Sequence, residues 1–164
     1  MIPNRLVMLT ALSTLLVAGS MTAVAQGLIT QKALSLDVAQ AIAHGAVEKC
    51  RADGYRVSVT VIDSGNVLKA FLRDDGSGLH TIDFSRRKAY SALTFKRPSA
   101  ETGKAWAANP PAPNIEGTVG TAGGVPIKVG NDVIGAVGVS GAPGGDKDEV
   151  CANAGIAKVA EQLK

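Results

Sequence analysis

The alternation of apolar and polar positions along the chain predicts four helices and four strands. Residues 36–52 repeat with the 3.6-residue period of an amphipathic helix. Alternating apolar residues over 56–63 and 67–73, joined by a Ser-Gly-Asn turn, predict a β-hairpin. A second helix is expected over 81–96, and a short third helix between Ser99 and Trp106.

The last third of the chain predicts a second hairpin followed by a helix. Apolar strands at 125–129 and 133–140 flank a Gly-Asn-Asp segment, which favours a tight turn. Asp146 as N-cap with Glu149 three positions later is a capping-box pattern. The order is therefore α-β-β-α-α-β-β-α. It predicts an α+β fold in which an antiparallel sheet built from two β-hairpins packs with helices.

Glycine spacing and a proline-rich loop add two expectations. Gly135, Gly138 and Gly141 lie in or at the end of the last strand, where glycine indicates a close neighbour on the backbone. Their spacing of three matches neither a dinucleotide-binding nor a P-loop motif. The irregular segment 109–121 is too long for a simple connector, so we expect it to be a ligand-binding lid.

The N-terminal residues 1–25 predict a cleavable signal peptide. Met1–Arg5 carries one positive charge, 6–17 is mostly apolar, and small residues precede Gln26, where cleavage is expected. The alternative is a membrane anchor, but the apolar run is shorter than the roughly 20 residues that span a bilayer. We therefore expect a single domain over 26–164, periplasmic or secreted, without stable membrane insertion after cleavage.

The net charge of the chain excludes few classes of function. The sequence has 17 Lys and Arg against 14 Asp and Glu; removing Arg5 leaves 16 against 14, a balance of +2. Aromatic residues make up 4% of the chain, which argues against a nucleic-acid partner. A basic cluster is expected to form a solvated helix face or to receive an anionic ligand. Its members are Arg86, Arg87, Lys88, Lys96, Arg97 and Lys104.

The two cysteines, Cys50 and Cys151, lie near the end of the first helix and the start of the last. An exported chain favours a disulfide between them, and adjacent antiparallel helices would bring these ends together. The alternative is two buried thiols, which pack like small hydrophobic groups. No Cys-x-x-Cys motif is present, which argues against thiol catalysis.

Candidate chemistry centres on two histidines. No Ser nucleophile elbow and no zinc motif is present. His80 lies at a loop–helix junction beside Tyr90 and basic residues, a setting in which imidazole ligates haem iron while Arg or Lys pairs the propionates. The alternative is a helix-start histidine bonded to the backbone. His44 lies on the polar face of the first helix and is expected to be solvated, or to be a ligand if an oligomer buries that face.

Four stretches resemble the GlcG/HbpS family, which includes the C-terminal domain of PduO-type proteins. They are VSVTVIDSGNVLKAFLRDDGSG, SRRKAYSALTFKRPS, GGVPIKVGNDVIGAVGVSG and DEVCANAGI. The resemblance implies a small antiparallel sheet with helices, compact oligomers that are often octamers, and haem binding in some members. Residues of this chain that match the pattern around the family's pocket are Arg73, Asp75, Gly76, His80, Thr81, Lys88, Ala89 and Phe95.

Three functions follow from the residues and the resemblance. The first is an exported haem-binding protein with a carrier, storage or sensing-accessory role and no turnover. The second is a small enzyme or accessory subunit acting on a small 2-hydroxy acid such as glycolate, which the absence of an acid–base or nucleophilic constellation disfavours. The third is a purely structural oligomer.

Overall fold

A computed structural model describes residues 27–109 and 115–164. The predicted signal peptide, residues 1–25, and the centre of the predicted lid lie outside these ranges. The described chain forms, in order, α1 (Leu36–Ala52), β1 (Ser58–Asp63), β2 (Leu68–Arg73), α2 (His80–Phe95), α3 (Ser99–Ala108), β3 (Gly124–Val129), β4 (Asp132–Ser140), α4 (Gly145–Ala157) and a 3₁₀ turn, Ala160–Gln162. The predicted order of helices and strands is confirmed. None of the helices in these ranges has the length and apolar character needed to cross a membrane.

The four strands form one antiparallel sheet in the order β2-β1-β4-β3. Each predicted hairpin supplies two neighbouring strands, and the hairpins join where β1 pairs with β4. Val59, for example, pairs with Leu72 on one side and Val139 on the other. Because side chains alternate along a strand, each strand presents one set of residues to each face of the sheet.

The first face of the sheet is apolar and packs against α1 and α4. Val59 and Val61 of β1, with Val137 and Val139 of β4, are fully buried there. Each such valine contributes about 1.5–3 kcal/mol by leaving water. Cys50 and Cys151 join the two helices on this face, with 5.5 Å between their Cα atoms. The disulfide prediction is therefore confirmed.

The second face is covered by α2 and is built from small and polar residues. A Cβ on Gly138 would lie 2.0 Å from the Ser85 carbonyl oxygen, so α2 rests directly on the β4 backbone. This close contact confirms the expectation drawn from the glycines of the last strand. The hydroxyl groups of Thr60 and Ser85 are 2.8 Å apart, as are those of Ser58 and Thr81. Buried hydroxyls thus satisfy each other in place of apolar packing.

The capping-box prediction for α4 is wrong. The helix begins at Gly145, and its N-cap Gly144, with φ of 135°, makes no side-chain capping bond. Asp148 instead reaches back and accepts a hydrogen bond from the Ala142 N–H at 2.9 Å. The carboxylate that accepts a backbone hydrogen bond near the start of α4 is therefore that of Asp148, and Asp146 remains exposed.

Candidate ligand-binding site

His80 is the first residue of α2 and its side chain is exposed. Leu79 before it and Ile82 after it are also exposed, at 78% and 43%. The ring lies over the backbone of Gly78, where an added Cβ would be 2.7 Å from the imidazole Cε1 atom. His80 therefore presents an exposed imidazole at the start of a helix, in a segment that also exposes two apolar side chains.

Arg73 ends β2 and faces the loop that leads to His80. Its guanidinium donates a hydrogen bond to the Ser77 carbonyl oxygen at 2.6 Å, which holds the loop against the strand. Arg73 is itself exposed, so other donors of the guanidinium face solvent. Arg73 and His80 thus lie at the two ends of one loop.

Asp74 anchors the same loop and was not singled out from the sequence. Its carboxylate is 3% exposed and accepts two hydrogen bonds from Arg51, at 2.6 and 3.0 Å. The Arg56 guanidinium nitrogen Nε lies 3.8 Å from the same carboxylate. The hydrogen bond from Arg51 holds the pKa of Asp74 below its ordinary value, although burial opposes it. The Asp-Asp-Gly sequence signals a loop but does not identify its partner on α1.

Lys88 does not belong to a solvated basic face, so that prediction is wrong for this residue. Its side chain is 1% exposed, and its ammonium group lies 2.7 Å from Asp148 and 3.0 Å from the Val139 carbonyl oxygen. Burial lowers the pKa of Lys88 and raises that of Asp148, and their mutual attraction opposes both shifts. The charge of Lys88 is thus neutralised inside the protein, away from any surface ligand.

Tyr90 lies ten residues beyond His80 on α2. At 1.5 Å per residue, about 15 Å of helix separates their backbones. The Tyr90 ring instead packs near Gly117, where an added Cβ would be 3.4 Å from the ring carbons. Of the four residues expected to form one site, the structure therefore places Arg73 and His80 on one loop, and Lys88 and Tyr90 elsewhere.

His44 lies in a cleft between α1 and the edge strand β2. The cleft has a volume of about 230 Å³ and is lined by Gln40, Ala43, His44, Lys69, Ala70, Phe71 and Leu72. The histidine is exposed, as expected from the polar face of the first helix. Sequence reasoning missed Lys69, although a lysine within the apolar run of a strand is a recognisable signal.

The donors at the two histidines suit a ligand that brings most of a metal's coordination with it. No group of three or more His, Cys, Asp or Glu side chains within 27–109 and 115–164 could hold a bare metal ion. Haem iron differs because the porphyrin supplies four nitrogen ligands, so one imidazole is enough to hold it axially. His44 shares its cleft with apolar residues and Lys69, and the loop before His80 is held by Arg73 and ends at the exposed Leu79; these groups suit the porphyrin and its propionates.

Residues 34–157 match the family model described as "Haem degrading protein HbpS-like". The match covers most of the chain and nearly all of its described helices and strands. The protein therefore belongs to the HbpS-like family, in agreement with the resemblance noted in its sequence. A search of curated proteins gave no match.

Solved structures agree with this assignment. A crystal structure of HbpS is 37% identical, with a TM-score of 0.77 over 80% of this chain and 93% of the other. A double mutant of Streptomyces reticuli HbpS is 35% identical, with a TM-score of 0.77 over 90% and 97%. The haem complex of PduOC is 22% identical, with a TM-score of 0.70 over 77% and 95%, a likeness that concerns the fold alone.

Proposed function

We propose that this protein is an exported haem-binding protein that carries, stores or helps to sense haem without degrading it. The observation that carries the proposal is the setting of the chain's two histidines. Both are exposed: His44 shares a cleft with apolar residues and Lys69, and His80 follows the loop that Arg73 holds. Membership of a family described by haem chemistry supports the same ligand.

The residues around His80 match the needs of haem in three respects. The imidazole would offer an axial ligand to the iron, the exposed Leu79 before it apolar contact to the porphyrin, and Arg73 a charge-assisted hydrogen bond to a propionate. The bound group would supply an iron centre able to exchange an electron or take up a small ligand. The role proposed for the protein is to hold that group.

Export and self-association complete the proposal. Residues 1–25 would direct export and be removed, leaving 26–164 in the periplasm or outside the cell. We propose that the mature chains form a compact homo-oligomer of the octamer type. Leu36 at the start of α1 and Val150 of α4 are exposed at 50% and 51%, and such residues suit a contact between copies. Light scattering of the purified protein measures the number of copies.

An absorbance titration with hemin tests the ligand. The purified protein is compared with a double variant that carries both His44→Ala and His80→Ala. The sequence has two histidines, so the double variant retains none of them. We expect a saturable Soret shift in the native protein and its loss in the double variant. Equal, non-saturating shifts in both proteins would contradict haem binding and favour a small 2-hydroxy acid or a structural role.

A second measurement separates holding from degradation. Hydrogen peroxide or a reductant in air is added to the hemin-loaded protein, and the Soret band is followed over time. A carrier keeps the band with a decay no faster than that of hemin on serum albumin. Rapid loss of the band with release of free iron would show turnover and would contradict the proposed carrier role.

A further inference from the structure

The cleft between α1 and β2 combines an imidazole with apolar walls. His44 stands on α1 one turn after Gln40, and both line the cleft together with Ala43. Ala70 and Leu72 of β2 form the opposite wall and are partly buried against the core. The imidazole is thus bordered by apolar side chains on two separate elements. The apolar neighbours of His80, by contrast, are adjacent in the chain on one helix end.

A β-bulge places Lys69 at this cleft. Along β2, Ala70 pairs with Val61 and Leu68 pairs with Ile62, so Lys69 has no partner on β1. An extra residue of this kind bends the strand and redirects a side chain, and bulges are common beside functional sites. Lys69 accordingly lines the same cleft as His44. The irregularity in the sheet therefore adds a cation to an apolar cleft that already holds an imidazole.

The strand that carries Lys69 is also the edge of the sheet. β2 pairs with β1 on one side, and no strand among the described residues pairs with its other side. The cleft therefore lies at an edge of the sheet, and a planar ligand larger than its volume of about 230 Å³ would extend beyond it. Lys49 on α1 is held by Asp53, with Nζ 2.7 Å from both carboxylate oxygens, whereas the Lys69 ammonium makes no ion pair with a described residue.

We infer that the α1–β2 cleft is the haem site, with His44 as the iron ligand and Lys69 as the partner of a propionate. This inference rests on the proposed function and assigns the iron to His44 instead of His80. Ala70, Phe71 and Leu72 supply the apolar contact. Lys88 takes no part in this site, since it remains paired with Asp148.

Single substitutions titrated with hemin test the assignment. His44→Ala and His80→Ala are matched, because each removes one exposed imidazole from a helix. Lys69→Met is matched with Lys128→Met, which removes an exposed cation from the opposite edge strand, β3. Soret position, spin state and affinity are read for each variant, and far-UV circular dichroism confirms that each is folded.

We expect His44→Ala to lose the saturable Soret shift and His80→Ala to titrate like the native protein. Lys69→Met should weaken hemin binding about two- to fivefold, as expected for a solvent-exposed ion pair, while Lys128→Met has no effect. A native-like titration of His44→Ala, or loss of binding in His80→Ala, overturns the assignment while haem binding itself stands. Equal affinities of the two lysine variants overturn the role of Lys69. A native protein that shows no saturable shift rejects the proposed function itself.

Discussion

Lys88 and Asp148 form a buried ion pair that connects α2 to the start of α4. The two side chains are 1% and 4% exposed, with 2.7 Å between the ammonium nitrogen and a carboxylate oxygen. A Cβ on Gly123 would lie 2.9 Å from the Lys88 nitrogen and 2.9 Å from the Asp148 Cβ, so the pair is tightly enclosed. Asp148→Ala should therefore leave a buried ammonium group that solvent cannot reach.

The expected decrease in the free energy of unfolding of Asp148→Ala is large. In Asp148→Ala the Val139 carbonyl oxygen is the one hydrogen-bond acceptor left to the Lys88 ammonium among the described residues, with the Phe84 ring centroid 5.2 Å away, and the Ala142 N–H loses its acceptor. Removing one partner of a buried ion pair costs about 3–5 kcal/mol. A domain of this size is stable by about 5–15 kcal/mol in total. The midpoint of thermal unfolding should fall by roughly 10–20 °C.

Urea unfolding at pH 7, followed by circular dichroism, completes a double-mutant cycle with Lys88→Met. The double variant should be more stable than Asp148→Ala alone, because both charges are then gone and replacing a buried pair by apolar groups is often neutral. Lys32→Met is the control: it breaks an exposed pair with Asp132 and should change the free energy of unfolding little. Single variants within about 1 kcal/mol of the native protein, or strictly additive effects, would refute the argument.

Three further predictions concern stability. The disulfide links two residues that are 101 positions apart in the sequence. Replacing Cys50 and Cys151 by alanine should therefore lower the free energy of unfolding, measured by chemical denaturation, by about 2–5 kcal/mol. Gly138→Ala would place a methyl group against the backbone of α2 and should unfold the protein or make it insoluble. Gly65→Ala is the control and should be tolerated, because its added Cβ would lie 3.4 Å from the nearest atom. The soluble yield and the midpoint of thermal unfolding of the two variants are compared. The pKa of Asp74 is lowered on folding, so its contribution is present above the ordinary value of 3.8 and is lost as the pH falls towards the folded-state pKa. The stability difference between the native protein and Asp74→Asn should therefore shrink below pH 3.8 in acid unfolding curves.

The sequence predicted those features of the fold that local pattern controls. Strand alternation, turn residues and helix periodicity are local, and they were enough for the order of elements and for the hairpins. Glycine at position 138 indicated a close contact because few other features explain glycine within a strand. The number of cysteines and the predicted signal peptide favoured the disulfide over two buried thiols.

Features that depend on distant partners could not be predicted in this way. Lys88 stands in a run of basic residues, where solvation is the usual state, and its partner Asp148 is 60 positions away. The capping pattern at Asp146 was locally correct, but a loop N–H and a buried ammonium made Asp148 the important carboxylate. A local sequence pattern does not show which of two nearby carboxylates will bind partners that are distant in the sequence.

The candidate site illustrates the same limit. His80 and Arg73 are close in sequence, so a local pattern could place them together. The cleft at His44 requires α1 to lie beside β2 and requires the register shift at Lys69. Neither the packing of α1 beside β2 nor the register shift can be predicted from one stretch of sequence, because register depends on how two strands pair.

The haem content of the protein isolated from cells tests the central claim most directly. The full-length chain is expressed with hemin in the medium, purified by affinity and size-exclusion chromatography, and assayed by its Soret band and by the pyridine haemochrome method. We predict haem that elutes with the protein in a fixed ratio and is absent from the His44→Ala, His80→Ala double variant. A colourless native protein, or equal haem in both proteins, would contradict specific haem binding through histidine.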